Sequence, residues 1–248
     1  VKAIILAAGR GSRMKAMTED RPKCLVEIAG RSLLDCQRAA LTGAGAGPLA
    51  VVRGYRGEAF EGRGLTLFDN PRWAETNMVM SLVQAAPWLS AEPCLVSYAD
   101  IFYPAETVCR LMAAEGDIVI SYDPDWLALW QSRFADPLAD AESFLLDATG
   151  RVVDIGRKVQ SLDEIQGQYM GLLKFTPAGW AQVTGYLDGL EPAARDKLDM
   201  TGLLSRLIAA GVAIRAVPSA PGWGEVDSES DLDHYIAEVA AGRVALPV

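Results

Sequence analysis

The chain has 248 residues, half of them apolar, with 23 basic and 32 acidic side chains and a formal net charge of −9. That length fits one large α/β unit or two small ones, with enough apolar side chains to bury a sizeable core. The acidic balance argues against nucleic acid or an anionic membrane as the main partner, although a few placed cations can still hold a small anionic molecule.

In chain order, Lys2–Ala7 reads as a first strand. Its apolar start is about six residues long and runs straight into a glycine loop, so no secretory leader is expected. No run approaches the ~18 apolar residues of a membrane helix, and a cytoplasmic protein is expected. Arg31–Leu41 carries apolar residues at helical spacing, Leu49–Val52 and Leu65–Phe68 read as strands, and Thr76 or Asn77 caps a helix reaching about Ala86. Cys94–Ser97 is a strand ending at Ala99-Asp100, followed by a helix over Ala105–Glu115 and a strand over Asp117–Ser121. Asp123-Pro124-Asp125-Trp126 and Asp136-Pro137-Leu138 look like turns, so the region from 123 to 148 reads as an insertion over one end of the sheet. Strands resume at Val152–Ile155, Met170–Phe175 and Ala213–Val217, with helices at Ala178–Leu187, Met200–Ala210 and Asp231–Ala241. This alternation predicts a three-layer, Rossmann-like α/β fold, its sheet mostly parallel and covered by helices on both faces. Without a repeat or linker, one domain over residues 1–248 is expected. The start of the insertion divides it into halves of 1–122 and 123–248.

Cys24, Cys36, Cys94 and Cys109 show no metal-ligand spacing and are expected to be buried free thiols. Lone His234, on the terminal helix, reads as a surface residue.

The loop Leu6-Ala7-Ala8-Gly9-Arg10-Gly11-Ser12-Arg13-Met14 follows the first strand. A glycine turn in that position exposes backbone N–H groups that can cradle phosphate oxygens. Met14 stands where a dinucleotide fingerprint needs its third glycine, the second strand ends in Val52-Arg53-Gly54 without an obvious acid, and the Gly-Lys-[Ser/Thr] end of a Walker loop is missing. These departures count against a nicotinamide oxidoreductase and a P-loop. The next stretch, Arg21-Pro22-Lys23-Cys24-Leu25-Val26, places a lysine behind a proline that fixes its approach. A lysine held against a triphosphate neutralises charge during attack.

The two stretches together resemble the signature of the nucleotidyltransferases that make activated sugars and alcohols, and the resemblance spans nearly the whole chain. It implies a sheet of the nucleotide-diphospho-sugar transferase type. It also implies a reaction in which a small phosphate ester attacks the α-phosphorus of a nucleoside triphosphate, with Mg²⁺ assisting and pyrophosphate leaving. Carried over by position, the resemblance puts the backbone of Leu6, Ala7, Ala8, Gly9 and Gly11 on base and ribose. Gly11, Ser12 and Arg13 then surround the outer phosphates, and Lys23 lies on the α-phosphate, so that Lys23 and Arg13 are the catalytic cations.

Tyr98-Ala99-Asp100 ends a strand, where open α/β sheets bind ligands, and Glu225-Val226-Asp227-Ser228 comes late enough to cross the same cleft. Two carboxylates from distant segments suit an octahedral Mg²⁺ beside phosphate oxygens. In the family resembled, Asp100 and Asp227 match the metal-binding pair, although a helix cap or a turn also suits each locally.

The block around Glu75-Thr76-Asn77-Met78-Val79-Met80-Ser81-Leu82 lacks the glycine-rich stretch of sugar-activating members. It resembles the branch that activates phosphocholine, aminoethylphosphonate and phosphorylated amino-acid amides with CTP. Asn77 and Ser81 are then nucleotide-side candidates, with Asn77 able to meet the cytosine edge or to cap the helix. On the acceptor side the resemblance implies Lys158 for the acceptor phosphate, with Tyr169 and Gly171 in the next wall and Asp199 as either a contact or a cap. Trp126, Trp130 and Phe134 share one helical face, which suits core or, with Trp223, an aromatic wall for a cationic head group. A primary amine would instead select Asp125, Asp136 or Glu142.

The expected partners are therefore CTP and a small phosphorylated acceptor, without nucleic acid or membrane, and a homodimer is left open. A sugar-1-phosphate nucleotidyltransferase using UTP or dTTP is the rival with the same chemistry. A non-catalytic nucleotide-binding regulatory module is the rival of another class, and the joint presence of Lys23, Asp100 and Asp227 counts against it.

Overall fold

The computed structural model describes residues 1–11, 14 and 17–248. The elements of the first half are β1 (Lys2–Ala7), β2 (Glu27–Ile28), β3 (Arg31–Ser32), α1 (Leu33–Gly43), β4 (Leu49–Arg53), β5 (Thr66–Asp69), α2 (Met78–Val83), α3 (Ala86–Leu89), β6 (Cys94–Tyr98), β7 (Ile101–Phe102), α4 (Ala105–Ala113) and β8 (Ile118–Asp123). The second half continues with α5 (Trp126–Arg133), β9 (Glu142–Leu146), β10 (Val152–Lys158), β11 (Gln168–Phe175), α6 (Pro177–Asp188), α7 (Pro192–Asp196), α8 (Met200–Ala209), β12 (Arg215–Pro218), β13 (Gly224–Glu225) and α9 (Glu229–Ala240).

Seven strands form the central sheet in the order β12-β8-β11-β6-β1-β4-β5. All neighbours run parallel except β11, which is antiparallel to both β6 and β8. The sheet is therefore mostly parallel, as the strand–helix alternation predicts, and β11 makes it mixed. Side chains alternate across a strand, and β1 shows the result. Ile4 and Leu6 enter one core layer with residues of α2, α6 and α8, whereas Ala3, Ile5 and Ala7 enter the other with residues of α1, α4 and α5. Burial on both faces is why this strand reads as an unbroken apolar run.

Three expectations need correction. Arg31 and Ser32 do not begin the first helix: they pair with Glu27 and Ile28, and Ser32 caps α1 by accepting from Asp35 N. The region read as turns and short helices contains β9, which pairs antiparallel with β10 outside the central sheet. Phe144, Val152 and Ile155 of this ladder are buried in the first core layer, so it covers a sheet face, and Phe144 stacks on Tyr122 of β8 at 5.0 Å. Of the four thiols, Cys24, Cys36 and Cys94 are buried and free, but Cys109 is exposed. Among the described residues no helix is long and apolar enough to cross a membrane.

Candidate active site

The carboxyl end of β1 opens a cleft of about 290 Å³. Of the residues named from sequence, Leu6, Ala7, Ala8, Gly9, Gly11, Lys23, Asn77, Ser81 and Asp100 line it. Ser12 and Arg13 lie outside the described residues. The loop after β1 is tied to its neighbour where Tyr55 N donates to Ala8 O at 2.9 Å. Gly54 permits this approach: a Cβ there would lie 2.5 Å from Trp73 Cβ and 2.7 Å from Ala8 O. Gly11 has φ +66°, a conformation that favours glycine, and a Cβ on it would press on Lys23 Cβ at 3.0 Å.

Lys23 begins a short 3₁₀ turn, Lys23–Leu25, entered from Pro22 in an extended conformation. Cys24 and Leu25 sink into the second core layer and anchor the turn. The lysine side chain is almost buried, with Nζ 2.8 Å from Asp100 Oδ2 and 2.5 Å from Asp227 Oδ1. Burial by itself would lower the pKa of this ammonium, but the two carboxylates more than offset that, so the pKa is raised and the charge is retained.

The convergence of residues 100 and 227 has a local cause. β7 and β13 pair antiparallel, with Ile101 opposite Glu225 and Phe102 opposite Gly224, and Val226 N donates to Asp100 O at 2.9 Å. Gly224 is needed at this crossing, because a Cβ would lie 2.5 Å from the Phe102 ring and 2.6 Å from that of Tyr235. From the other side the buried Gln37 of α1 donates through Nε2 to Tyr98 O at 2.8 Å and Ile101 O at 2.5 Å, bracketing Asp100. Sequence reasoning missed Gln37.

A third acid joins the pair. Carboxylate oxygens of Asp100, Glu225 and Asp227 all lie within 4.8 Å of one another. Burial, and then the charges of Asp227 and Asp100, push the Glu225 carboxyl up to about 8, partly offset by Arg133. Glu225 was in the stretch singled out from sequence but was given no role. Its spacing of two from Asp227 was the available signal. The donor set is all oxygen, and Asp100 Oδ1 is buried without a hydrogen-bond partner. An orphaned buried carboxylate oxygen in a three-acid cluster fits a hard divalent cation.

The nucleotide wall also contains Trp73, Thr76, Met78, Tyr98 and Ala99, none of them singled out for the site beforehand. Asn77 caps α2, with Oδ1 accepting from Met78 N at 2.7 Å, and its Nδ2 donates to Lys197 O at 3.2 Å. Its backbone N donates to Asp196 O at 2.7 Å, and Arg72 forks onto the Asp196 carboxylate at 2.5 and 3.3 Å. Asn70 Nδ2 donates to both Thr76 Oγ1 and Ser81 Oγ, fixing the hydroxyl of Ser81.

The acceptor-side residues are more dispersed. The Tyr169 ring meets Tyr98 edge-on at 5.8 Å, and Gly171 (φ +80°) lies under Tyr98, where a Cβ would be 2.7 Å from the ring. Asp199 caps α8 through Gly202 N at 2.8 Å, one of its two expected roles. Lys158 is exposed at the end of β10, opposite Glu142. Burial, followed by the charges of Asp199 and Asp140, raises the pKa of Glu142. None of Lys158, Tyr169, Gly171 and Asp199 reaches the cleft lining itself.

Trp126 and Trp130 require a correction. They are 5% and 4% exposed and belong to the second core layer. Trp130 Nε1 donates to Asp140 at 3.1 Å, and its ring lies 6.2 Å from that of Trp223. Trp223 in turn donates to the buried Asp123. The helical stripe is therefore packing, and the aromatic wall for a head group is withdrawn. His234 is half-buried on α9 and does not line the cleft.

Residues 3–157 match the family of MobA-like NTP transferase domains. Over 253 aligned positions the chain is 34% identical to the CTP:phosphoglutamine cytidylyltransferase of Campylobacter jejuni, covering 95% of this chain and 99% of the relative. The fold is shared with the inositol-1-phosphate CTP transferase of T. maritima (TM-score 0.74, 20% identity, 98% and 97% of the two chains). It is also shared with the CTP:phosphocholine cytidylyltransferase of Streptococcus pneumoniae (TM-score 0.70, 20% identity, 96% and 98%).

Proposed function

We propose that this chain, which belongs to the family of MobA-like NTP transferase domains, is a cytidylyltransferase. It joins the CMP moiety of CTP to a small nitrogen-bearing phosphate or phosphonate and releases pyrophosphate. The observation that carries this reading is the meeting of Lys23 with Asp100 and Asp227 at the mouth of the β1 cleft. The similarity to a phosphoglutamine cytidylyltransferase over nearly both full lengths supports CTP and points to a phosphorylated amino-acid amide as the first acceptor to try.

The chemistry follows from charge. An acceptor oxygen attacks the α-phosphorus of CTP, the bond from that phosphorus to the bridging oxygen breaks, and the electron pair leaves with pyrophosphate. The acceptor is already an anion at neutral pH, so no general base is required. The task for the protein is to hold two anions in line and to neutralise charge as it develops. Exposed N–H groups of the loop after β1 receive the nucleotide, together with Ser12 and Arg13 by sequence position. Lys23, its charge secured by its surroundings, moves onto the α-phosphate oxygens. Asp100, Glu225 and Asp227 would hold a divalent cation, with Mg²⁺ suited to their oxygens, which supplies neutralisation of the phosphates when bound. Trp73, Met78 and Tyr98 wall the cleft. Lys158 attracts the acceptor phosphate from the open side. A cytoplasmic setting suits a CTP-consuming enzyme with four free cysteines.

Pyrophosphate release with Mg²⁺ tests the reading on a grid of CTP, UTP, dTTP, ATP and GTP against phosphoglutamine, phosphocholine, 2-aminoethylphosphonate and glucose 1-phosphate. Release with CTP and a nitrogen-bearing acceptor is expected. Release only with UTP or dTTP and the sugar phosphate would overturn the choice of substrates while keeping the chemistry. Nucleotide binding with no release from any pair would favour a regulatory module.

A further inference from the structure

The side chain of Arg133, the last residue of α5, is 1% exposed. Its Nε donates to Asp231 Oδ1 at 2.9 Å and its Nη1 to Glu225 Oε2 at 3.1 Å. The aromatic residues of the same helix face seat it: the guanidinium carbon lies 5.5 Å from the Trp130 ring centre and 5.0 Å from that of Phe134. Asp231 relays the contact. Its Oδ2 accepts from Asp227 N and Ser228 N, both at 3.0 Å, and from Ser228 Oγ at 2.9 Å, closing the capping box of α9.

One guanidinium thus reaches both late acids, Glu225 through its carboxylate and Asp227 through its backbone. Burying such a cluster of ionisable groups gives little net stability, because desolvation offsets the attraction. This fork, moreover, leaves Nη2 buried without an acceptor. What the fork does supply is direction, since a planar guanidinium fixes the orientation of the groups that it bridges.

We propose that Arg133 is a positioning residue for the carboxylate cluster, setting Glu225 and Asp227 for the cation that they and Asp100 hold. The aromatic stripe of α5 is the seat from which it acts. This rests on reading the three acids as a cation site. Residues one layer behind metal ligands typically change affinity by about 10- to 100-fold when altered. Arg133 is not among the residues that line the cleft.

Mn²⁺ titration of the 248-residue protein, followed by the loss of free-ion EPR signal, tests the proposal without turnover. Wild type, R133K, R133M and D100N are compared, with circular dichroism as the check on folding. R133K keeps the charge but not the fork, and its Mn²⁺ dissociation constant is expected to rise about tenfold or more. R133M, where it folds, is expected to lose at least as much. R133K carries the decision if R133M does not fold. Loss of binding in D100N together with wild-type affinity in R133K overturns the positioning role and leaves the cation site standing. A wild type that binds no Mn²⁺, or a D100N that binds it as wild type does, overturns the cation site and the positioning role together.

Discussion

The surroundings of the two lysines are built differently. Lys23, in the cleft, is 9% exposed and held by two carboxylates, which are held in turn by the β7–β13 ladder and by Gln37. Lys158, proposed for the acceptor and outside the cleft lining, is exposed, Arg157 beside it is ion-paired to Asp154, and Asp199 spends an oxygen on a helix cap. In the first arrangement the acids are braced by the protein itself. In the second the lysine stands exposed. Under the proposed function, chemistry shared by relatives with different acceptors suits that division, because the braced acids are independent of what the exposed lysine receives.

If the division is real, Lys23→Ala slows pyrophosphate release by about 10²- to 10³-fold or more with every acceptor tested. A loss confined to some acceptors would break the comparison. Lys158→Ala is expected to raise the KM for acceptor about tenfold, the worth of one charge-assisted contact, with little change in kcat. Steady-state kinetics with CTP saturating would show it, and a fall in kcat at unchanged KM would place Lys158 elsewhere. Gly171→Ala forces a Cβ against Tyr98 at a positive φ and should cost about 1–3 kcal/mol of stability by urea unfolding. The last prediction concerns pH. The Glu225 carboxyl rises from 4.5 to about 8 on folding, so the cation-free protein favours its protonated form. Stability should therefore decline as pH climbs through that window in EDTA, and Mg²⁺ should restore it, as thermal unfolding with and without the ion would reveal. An equal slope in both conditions would detach Glu225 from the cation site.

How much could be read in advance followed the reach of each signal. The central strands, the glycine loop, Lys23, Asp100 and Asp227 announce themselves within a few residues, through an apolar run, a proline or a strand end. Glu225 stood two residues from Asp227, and strand alternation would have put both on one side. Arg133 had no comparable cue, because its partners lie 92 and 98 residues away. Trp126 and Trp130 show that a helical period identifies a buried face without saying what covers it, which here is Trp223 and the second core layer. β9 escaped notice for a related reason. Its Glu142-Ser143-Phe144-Leu145-Leu146 lacks clean alternation, and its ladder with β10 lies over the sheet instead of within it.

The tether between Arg72 and Asp196, and between Asn77 and Lys197, bears on any attempt to redesign this protein. The segment that leads into α8 is an obvious cassette to exchange between relatives when a new acceptor is wanted. Its carbonyls at 196 and 197 are also the anchor points for the loop at 72–77, which lines the cleft proposed for the nucleotide. A graft of that cassette alone would import foreign anchor spacing and disturb nucleotide binding as a side effect. Successful transplants should carry 72–77 and the 191–199 segment as a matched pair.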